Sequence, residues 1–318
     1  MKLPDPLLQL GFATLLDAAR DRILLEALRQ TVANLPVFEL DKELAAYVPE
    51  DAYLKLAASG IRGETYFPVP LVLKTNPRLL SYYRLLFGFS QKQFFQTGSG
   101  CGIFSSMENS GKCNAKADSA LPELCQAFAA AGKILVAGLG SGLQAPTYSN
   151  DLCLLTLGAQ FRGSHNNAKG SEGIKAVFSV LKAIFEAETI ETGARSLQVR
   201  SASGRVVVIE LASDPDILIK SKMDDGNERT VVAVEVKAGE DHSNIWNRIG
   251  EAEKSHLKAR DSGVAECWTI INDPQAPDQQ LRVASPSTHR FYQLIDLTNS
   301  QSAARLDFAA RVRDMVGL

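Results

Sequence analysis

Between residues 213 and 240 the chain reads SDPDILIKSKMDDGNERTVVAVEVKAGE, and a β-hairpin is the fold that this stretch most strongly dictates. Asp225-Gly226 lies between two β-rich runs, and Asp and Gly tolerate the positive φ angles of a two-residue hairpin loop. With these two as the loop, Asp224 pairs with Asn227, and counting outward along both strands sets Asp216 opposite Glu235. The period of two then puts Lys237 on the same surface, and Ile217, Ile219, Val232, Val234 and Val236 on the other. One face of the hairpin is apolar and bound for a core. The other carries two carboxylates and an amine.

Directly opposed residues have Cβ atoms about 4.5–5.5 Å apart, close enough for like charges to destabilise the pair. A positive group between Asp216 and Glu235 relieves that repulsion. A hard divalent cation such as Mg²⁺ takes carboxylate oxygens and keeps several waters, which suits two acids on one sheet face, with Lys237 beside them as a point charge or proton handler. The bland alternative is a surface hairpin with ordinary charges. Against it, Glu235-x-Lys237 is the only acidic-x-Lys in the chain, and of three Pro-Asp pairs only Pro215-Asp216 opens an apolar strand just upstream of it.

Pro215-Asp216, eighteen residues and then Glu235-x-Lys237 resembles the PD-(D/E)XK nuclease motif. The continuation EVKAGEDHSNIWNRIGEAEKSHLKARDSGVAECWTIIND, with the early PDPLLQLGFATLLDAARD and the middle YYRLLFGFSQKQFF, resembles type II restriction endonucleases of the XcyI/XmaI kind over most of the chain. The resemblance implies an α/β fold with a PD-(D/E)XK restriction-endonuclease-like core, a mixed central sheet flanked by helices, and a mainly helical N-terminal region. It places the catalytic core at residues 161–318 and a helical region for DNA contact or dimerisation at residues 1–160. It further implies a Mg²⁺-dependent homodimer that cuts double-stranded DNA at CCCGGG after the first cytosine, leaving 5′ overhangs, in a prokaryotic cytoplasm beside a cognate DNA methyltransferase. Carried onto these residues, Asp216 and Glu235 bind metal with the Val236 carbonyl as a further ligand, and Lys237 orients or deprotonates the attacking water. A repair or junction nuclease on the same core, and a non-catalytic DNA-binding protein, are the alternatives. The intact Asp/Glu/Lys set favours catalysis.

Net charge is −2 over 318 residues, so a DNA-binding surface must come from local clustering. Residues 52–107 supply one, with Lys55, Arg62, Lys74, Arg78, Arg84 and Lys92 against Glu64 alone, and with Tyr82, Tyr83, Phe87, Phe89, Phe94 and Phe95 interleaved. Such cations neutralise phosphates. A helix from residue 79 to 87 with aromatics in its core and cations around it is the equal alternative. Residues 161–173, FRGSHNNAKGSEG, read as a polar glycine-rich loop whose Arg162, His165, Asn166, Asn167 and Lys169 suit phosphates and base edges. An ordinary surface loop accounts for them equally well.

Cys101, Cys113, Cys125, Cys153 and Cys267 show no C-x-x-C spacing, which points to free thiols in a reducing compartment and away from zinc. No apolar run approaches the length of a membrane span. Gly138-x-Gly140-x-Gly142 has the look of a phosphate-cradling turn, but the PTYSND segment after it begins a helix poorly, and a loop is the simpler reading. Apolar spacing predicts helices over residues 6–34 (broken once), 41–59, 171–188, 244–259 and 303–316. Strands are expected at 196–201, 205–211 and 266–271, besides the hairpin.

Overall fold

The computed structural model describes residues 6–140, 147–223, 226–239 and 242–318. The chain divides into two compact units, one ending at Gly163 and the other starting at Ser164. The first is helical: α1 (Leu7–Ile23), α2 (Leu25–Ala33), α3 (Val37–Tyr47), α4 (Glu50–Ala58), α5 (Pro70–Thr75), α6 (Leu80–Leu86), α7 (Gln91–Phe94), α8 (Ser105–Ser110), α9 (Ala115–Gly138) and the beginning of α10 (Tyr148–Ile184). The helix expected over residues 41–59 is two helices. Pro49 supplies no backbone donor and forces Val48 out of the helical region, so the chain breaks there and restarts at Glu50.

Among the described residues α9 is the helix whose length and apolar composition alone would let it cross a membrane. Its buried face, Leu121, Leu124, Cys125, Phe128, Gly132 and Val136, belongs to the core of the first unit. At Gly132 the approach is so close that a Cβ would stand 2.6 Å from the Phe67 ring. A core helix therefore accounts for its composition. Gly138 is its last residue, and Gly142 of the glycine series lies outside the described residues.

The second unit holds a seven-stranded sheet in sequence order. Its strands are β1 (Thr189–Thr192), β2 (Ser196–Arg200), β3 (Val206–Leu211), β4 (Ile217–Lys222), β5 (Glu228–Lys237), β6 (Glu266–Ile271) and β7 (Arg290–Gln293). The first five run antiparallel as a meander, and β5–β6 and β6–β7 pair in parallel. The parallel pairs need crossovers, and these contain α11 (Ile245–Asp261) and α12 (Asp278–Ala284); α13 (Leu294–Thr298) and α14 (Ala303–Val316) close the chain. Alternation along the strands sorts the faces. Ile217, Ile219, Val232, Val234 and Val236 join Val177, Leu181 and Phe185 of α10 and Phe308, Val312 and Val316 of α14 in one core. Trp268 meets Tyr292 and Phe308 edge to face at 6.1 and 5.5 Å, each such pair adding about 0.5–1.5 kcal/mol beyond area burial. The opposite face, with Ala233 and Cys267, packs on Ala259 of α11.

The hairpin differs from expectation at its tip and agrees at its base. Met223 N donates to Asn227 O, where a two-residue loop would pair Asp224 with Asn227, and Gly226 has φ 83°. Asp224 and Asp225 themselves lie outside the described residues. The register then shifts between Ile219 and Lys220, where Val231 is the extra residue on β5. Beyond the bulge, Ile217 faces Val234, the same register that a two-residue loop without a bulge predicts.

Candidate active site

Asp216 directly precedes β4, and Glu235 and Lys237 end β5, so the register Ile217↔Val234 carries Asp216 to Glu235. Asp216 Oδ2 accepts a hydrogen bond from Val236 N at 2.8 Å, and Asp216 N donates to Glu235 Oε2 at 3.4 Å. Lys237 Nζ donates to Glu235 Oε1 at 2.7 Å. The structure thus brings Asp216, Glu235 and Lys237 together on the sheet face opposite the Val232/Val234/Val236 core. α11 lies over this face. Its apolar positions Ile245, Ile249, Ala252 and Ala259 are buried, while Glu251, Ser255 and Lys258 share an adjoining stripe at helical spacing.

Burial raises the Asp216 carboxyl to about 6, the Glu235 charge adds to the rise, and the Val236 N–H works against it. Two acids held at close range in this site leave negative charge that Lys237 offsets, by its bond to Glu235 and by its charge acting on Asp216. Among the described residues no three His, Cys, Asp or Glu side chains form a preassembled metal cage. Two carboxylates and the Val236 carbonyl are nevertheless a hard-oxygen set suited to Mg²⁺, which is held by one or two carboxylates plus substrate phosphate rather than by a full protein cage. The residues present fit such a cation.

Sequence reasoning missed the surroundings of the motif. Ser255 Oγ lies 3.1 Å from Glu235 Oε2 and also donates to Asp214 Oδ1. Lys258 Nζ binds Asp214 Oδ2 at 2.7 Å, and Lys258 and Ser255 together hold the Asp214 carboxyl below its ordinary range. Glu251 stands 3.9 Å from Lys237. The Glu251-Ser255-Lys258 stripe was available in the sequence as the polar flank of the helix after Glu-x-Lys. Further out, His242 Nδ1 pairs with the buried Asp273 at 2.6 Å, in the segments that leave β5 and β6.

The residues read as DNA contacts fare differently. Arg84 is 1 % exposed. Its Nε and Nη2 bind Glu108 at 2.9 and 2.7 Å, Nη1 binds Phe89 O at 2.5 Å and Nη2 reaches Gln160 at 3.2 Å, so it is a core ion-pair residue and not a phosphate contact. Arg78 is half-buried, packs against Gly111 and donates to Glu108 O at 3.4 Å; Lys92 is exposed. Tyr82 and Tyr83 are fully buried, which makes these aromatics core rather than a stacking surface for bases. Residues 161–173 are not a loop, and the helix expected from Ser171 starts far earlier: both lie within α10. Interior glycines cost a helix only about 1 kcal/mol each, and a helix of 37 residues absorbs them. Arg162, Asn166 and Asn167 are exposed on it, and His165 and Lys169 are half-buried. Gly173 has a separate reason to be glycine: a Cβ there would fall 2.1 Å from the Ala238 Cβ, so α10 runs tightly against the chain just beyond Lys237.

A sequence model of the family described as XcyI restriction endonuclease matches residues 13–318. The type II restriction enzyme XcyI of Xanthomonas campestris pv. cyanopsidis is 45% identical over 317 residues, covering 99% of this chain and 95% of that protein. The type II restriction enzyme Cfr9I of Citrobacter freundii is 44% identical over 317 residues, covering 99% and 96%.

Proposed function

The chain belongs to the XcyI restriction endonuclease family and is a type II restriction endonuclease, and from that premise we propose that it hydrolyses double-stranded DNA with Mg²⁺ at the palindrome CCCGGG, cutting after the first cytosine to leave 5′ overhangs. The observation that carries the chemistry is the convergence of Asp216, Glu235 and Lys237 at the base of the hairpin. Asp216, Glu235 and the Val236 carbonyl would hold the cation. When bound, Mg²⁺ supplies polarisation of the scissile phosphate and neutralises charge at the departing oxygen. Lys237 keeps one N–H on Glu235 Oε1 and has two more donors to orient the attacking water, since an ammonium has no acceptor. The Val236 N–H fixes the Asp216 carboxylate through Oδ2.

A palindrome offers the same base edges twice about a two-fold axis, so a homodimer with one such site per strand is the assembly that fits it. Arg78, Lys92 and the α10 residues Arg162, His165, Asn166, Asn167 and Lys169 remain the DNA-contact candidates. The N-terminal region serves DNA contact or dimerisation. A cognate DNA methyltransferase and a prokaryotic cytoplasm complete the setting. Digestion of a plasmid of known sequence, with the ends sequenced, tests the target and cut position. Asp216→Ala should abolish cutting and leave specific DNA binding largely intact; cleavage by this variant, or undiminished cleavage in excess chelator, refutes the assignment.

A further inference from the structure

Ser255 is 4 % exposed and lies between two carboxylates. A hydroxyl has one hydrogen, and an ionised carboxylate only accepts. Ser255 Oγ is within donor reach of both Asp214 Oδ1 and Glu235 Oε2, a three-centre arrangement that ties Asp214, outside the catalytic motif, to Glu235 inside it. The other Asp214 oxygen is held by Lys258, and the other Glu235 oxygen by Lys237. The result is a chain, Lys258–Asp214–Ser255–Glu235–Lys237, in which each carboxylate is gripped at both oxygens. Rotation of the Glu235 carboxylate about its terminal torsion, which is broad for a free Glu, is thereby blocked.

We propose that Ser255 is a positioning residue: anchored by Asp214, it fixes the plane of the Glu235 carboxylate so that Oε2 is presented to the cation while Oε1 stays on Lys237. The assignment rests on the reading of Glu235 as a cation ligand. Groups that orient a metal-binding side chain from behind are worth about 10–100-fold in metal affinity or activity. Serine at this position is otherwise an unnecessary polar group in a buried helix face, where alanine would pack without needing a partner.

The test uses the full-length protein and reads two midpoints: the Mg²⁺ dissociation constant without DNA, fitted from the logarithmic growth of the melting temperature with Mg²⁺, and the Mg²⁺ concentration at half-maximal cleavage. Ser255→Ala should move both midpoints upward by about 10–100-fold, with DNA affinity measured in chelator unchanged. Ser255→Thr, which keeps the hydroxyl, should restore them to within a few-fold, and Ser255→Cys, a weaker donor of similar size, gives a folded intermediate case. Asp214→Asn should shift the midpoints less when Ser255 is already Ala, because the two act through one contact. A merely structural serine predicts a lower melting temperature in every buffer with unshifted midpoints, and that result overturns the proposal. Wild-type midpoints in Ser255→Ala and Ser255→Cys beside a lost response in Asp216→Ala overturn this inference alone. A normal Mg²⁺ response in Asp216→Ala overturns the reading of the site and this inference with it.

Discussion

Arg84→Ala separates a core ion pair from a DNA contact. In the folded protein the guanidinium makes two hydrogen bonds to Glu108, and the pair is nearly inaccessible, with side-chain exposures of 1% and 7%. Truncation leaves the Glu108 carboxylate in a dry environment where, among the described residues, Gln91 Nε2 at 3.2 Å to Oε1 is the side-chain donor left to it. Stranding a buried charge costs about 3–5 kcal/mol. For a unit of this size, where about 1 kcal/mol corresponds to about 2–4 °C, the melting temperature should fall by about 6–20 °C. Replacing both partners with apolar residues, Arg84→Met with Glu108→Leu, removes the uncompensated charge and should recover most of the loss. Denaturant and thermal melts of the single and double variants measure this, and a salt titration of DNA binding at a temperature where all are folded supplies the contrast. A phosphate contact would cost about 0.9 in the log–log salt slope, and the core pair should cost none. An Arg84→Ala protein that loses under about 1 kcal/mol and shows the reduced slope refutes the reasoning.

Gly173→Ala forces a Cβ to within 2.1 Å of the Ala238 Cβ, and overpacking of that kind costs about 1–3 kcal/mol; a lower melting temperature and slower cleavage are expected, and an unchanged melt rules out the tight contact. His256 is fully buried and its burial pushes the imidazole down to about 4, below the unfolded value of about 6.5. Between those values the unfolded chain binds the extra proton, so this contribution to stability is complete above about pH 6.5 and declines toward pH 4, by at most about 3 kcal/mol. Denaturant midpoints across that range should climb with pH less steeply in His256→Asn than in the wild type; equal slopes argue against it. Lys92→Ala should weaken DNA binding evenly across sequences and lower the salt slope by about 0.9, which a filter-binding or anisotropy titration reads directly.

Short-range pattern was the part of the fold that the sequence made legible. β6 at Glu266–Ile271 and α14 at Ala303–Val316 coincide with the expected segments, because apolar periodicity and caps are local. The edge strands β1 and β7 leave no signal in the sequence: each has four residues, too few for a period to register, and each is defined by its neighbour's backbone. Glycines in residues 161–173 favour a loop by local propensity, and the 37-residue α10 overrides it. The basic run around Arg84 likewise suggests a phosphate contact from local sequence alone. The partner of Arg84, Glu108, is 24 residues away, and nothing local in the sequence says that a cation in a basic run faces inward.

The hairpin shows how Asp216 and Glu235 come to be paired although the register near its tip differs from the expected one. The Met223–Asn227 pairing, carried down both strands unchanged, would have slipped the register by one residue and sent Glu235 and Lys237 to the apolar face. The bulge at Val231 adds one residue on β5 and restores parity, so Ile217 still faces Val234 and Asp216 still meets Glu235. Two departures from the regular hairpin therefore cancel. Counting back from Gly226 gave the right partner for Asp216 because burial fixes the base of the hairpin independently of its tip: Val232, Val234 and Val236 must point into the α10–α14 core, and exposing them would cost about 1.5–3 kcal/mol per side chain. With that face committed, Glu235 and Lys237 have only the α11 side available, and there Ser255, Asp214 and Lys258 complete a polar environment that carboxylates on a sheet face require. The site's position thus follows from where the valines must go, and its chemistry from the side chains that α11 places over the opposite face.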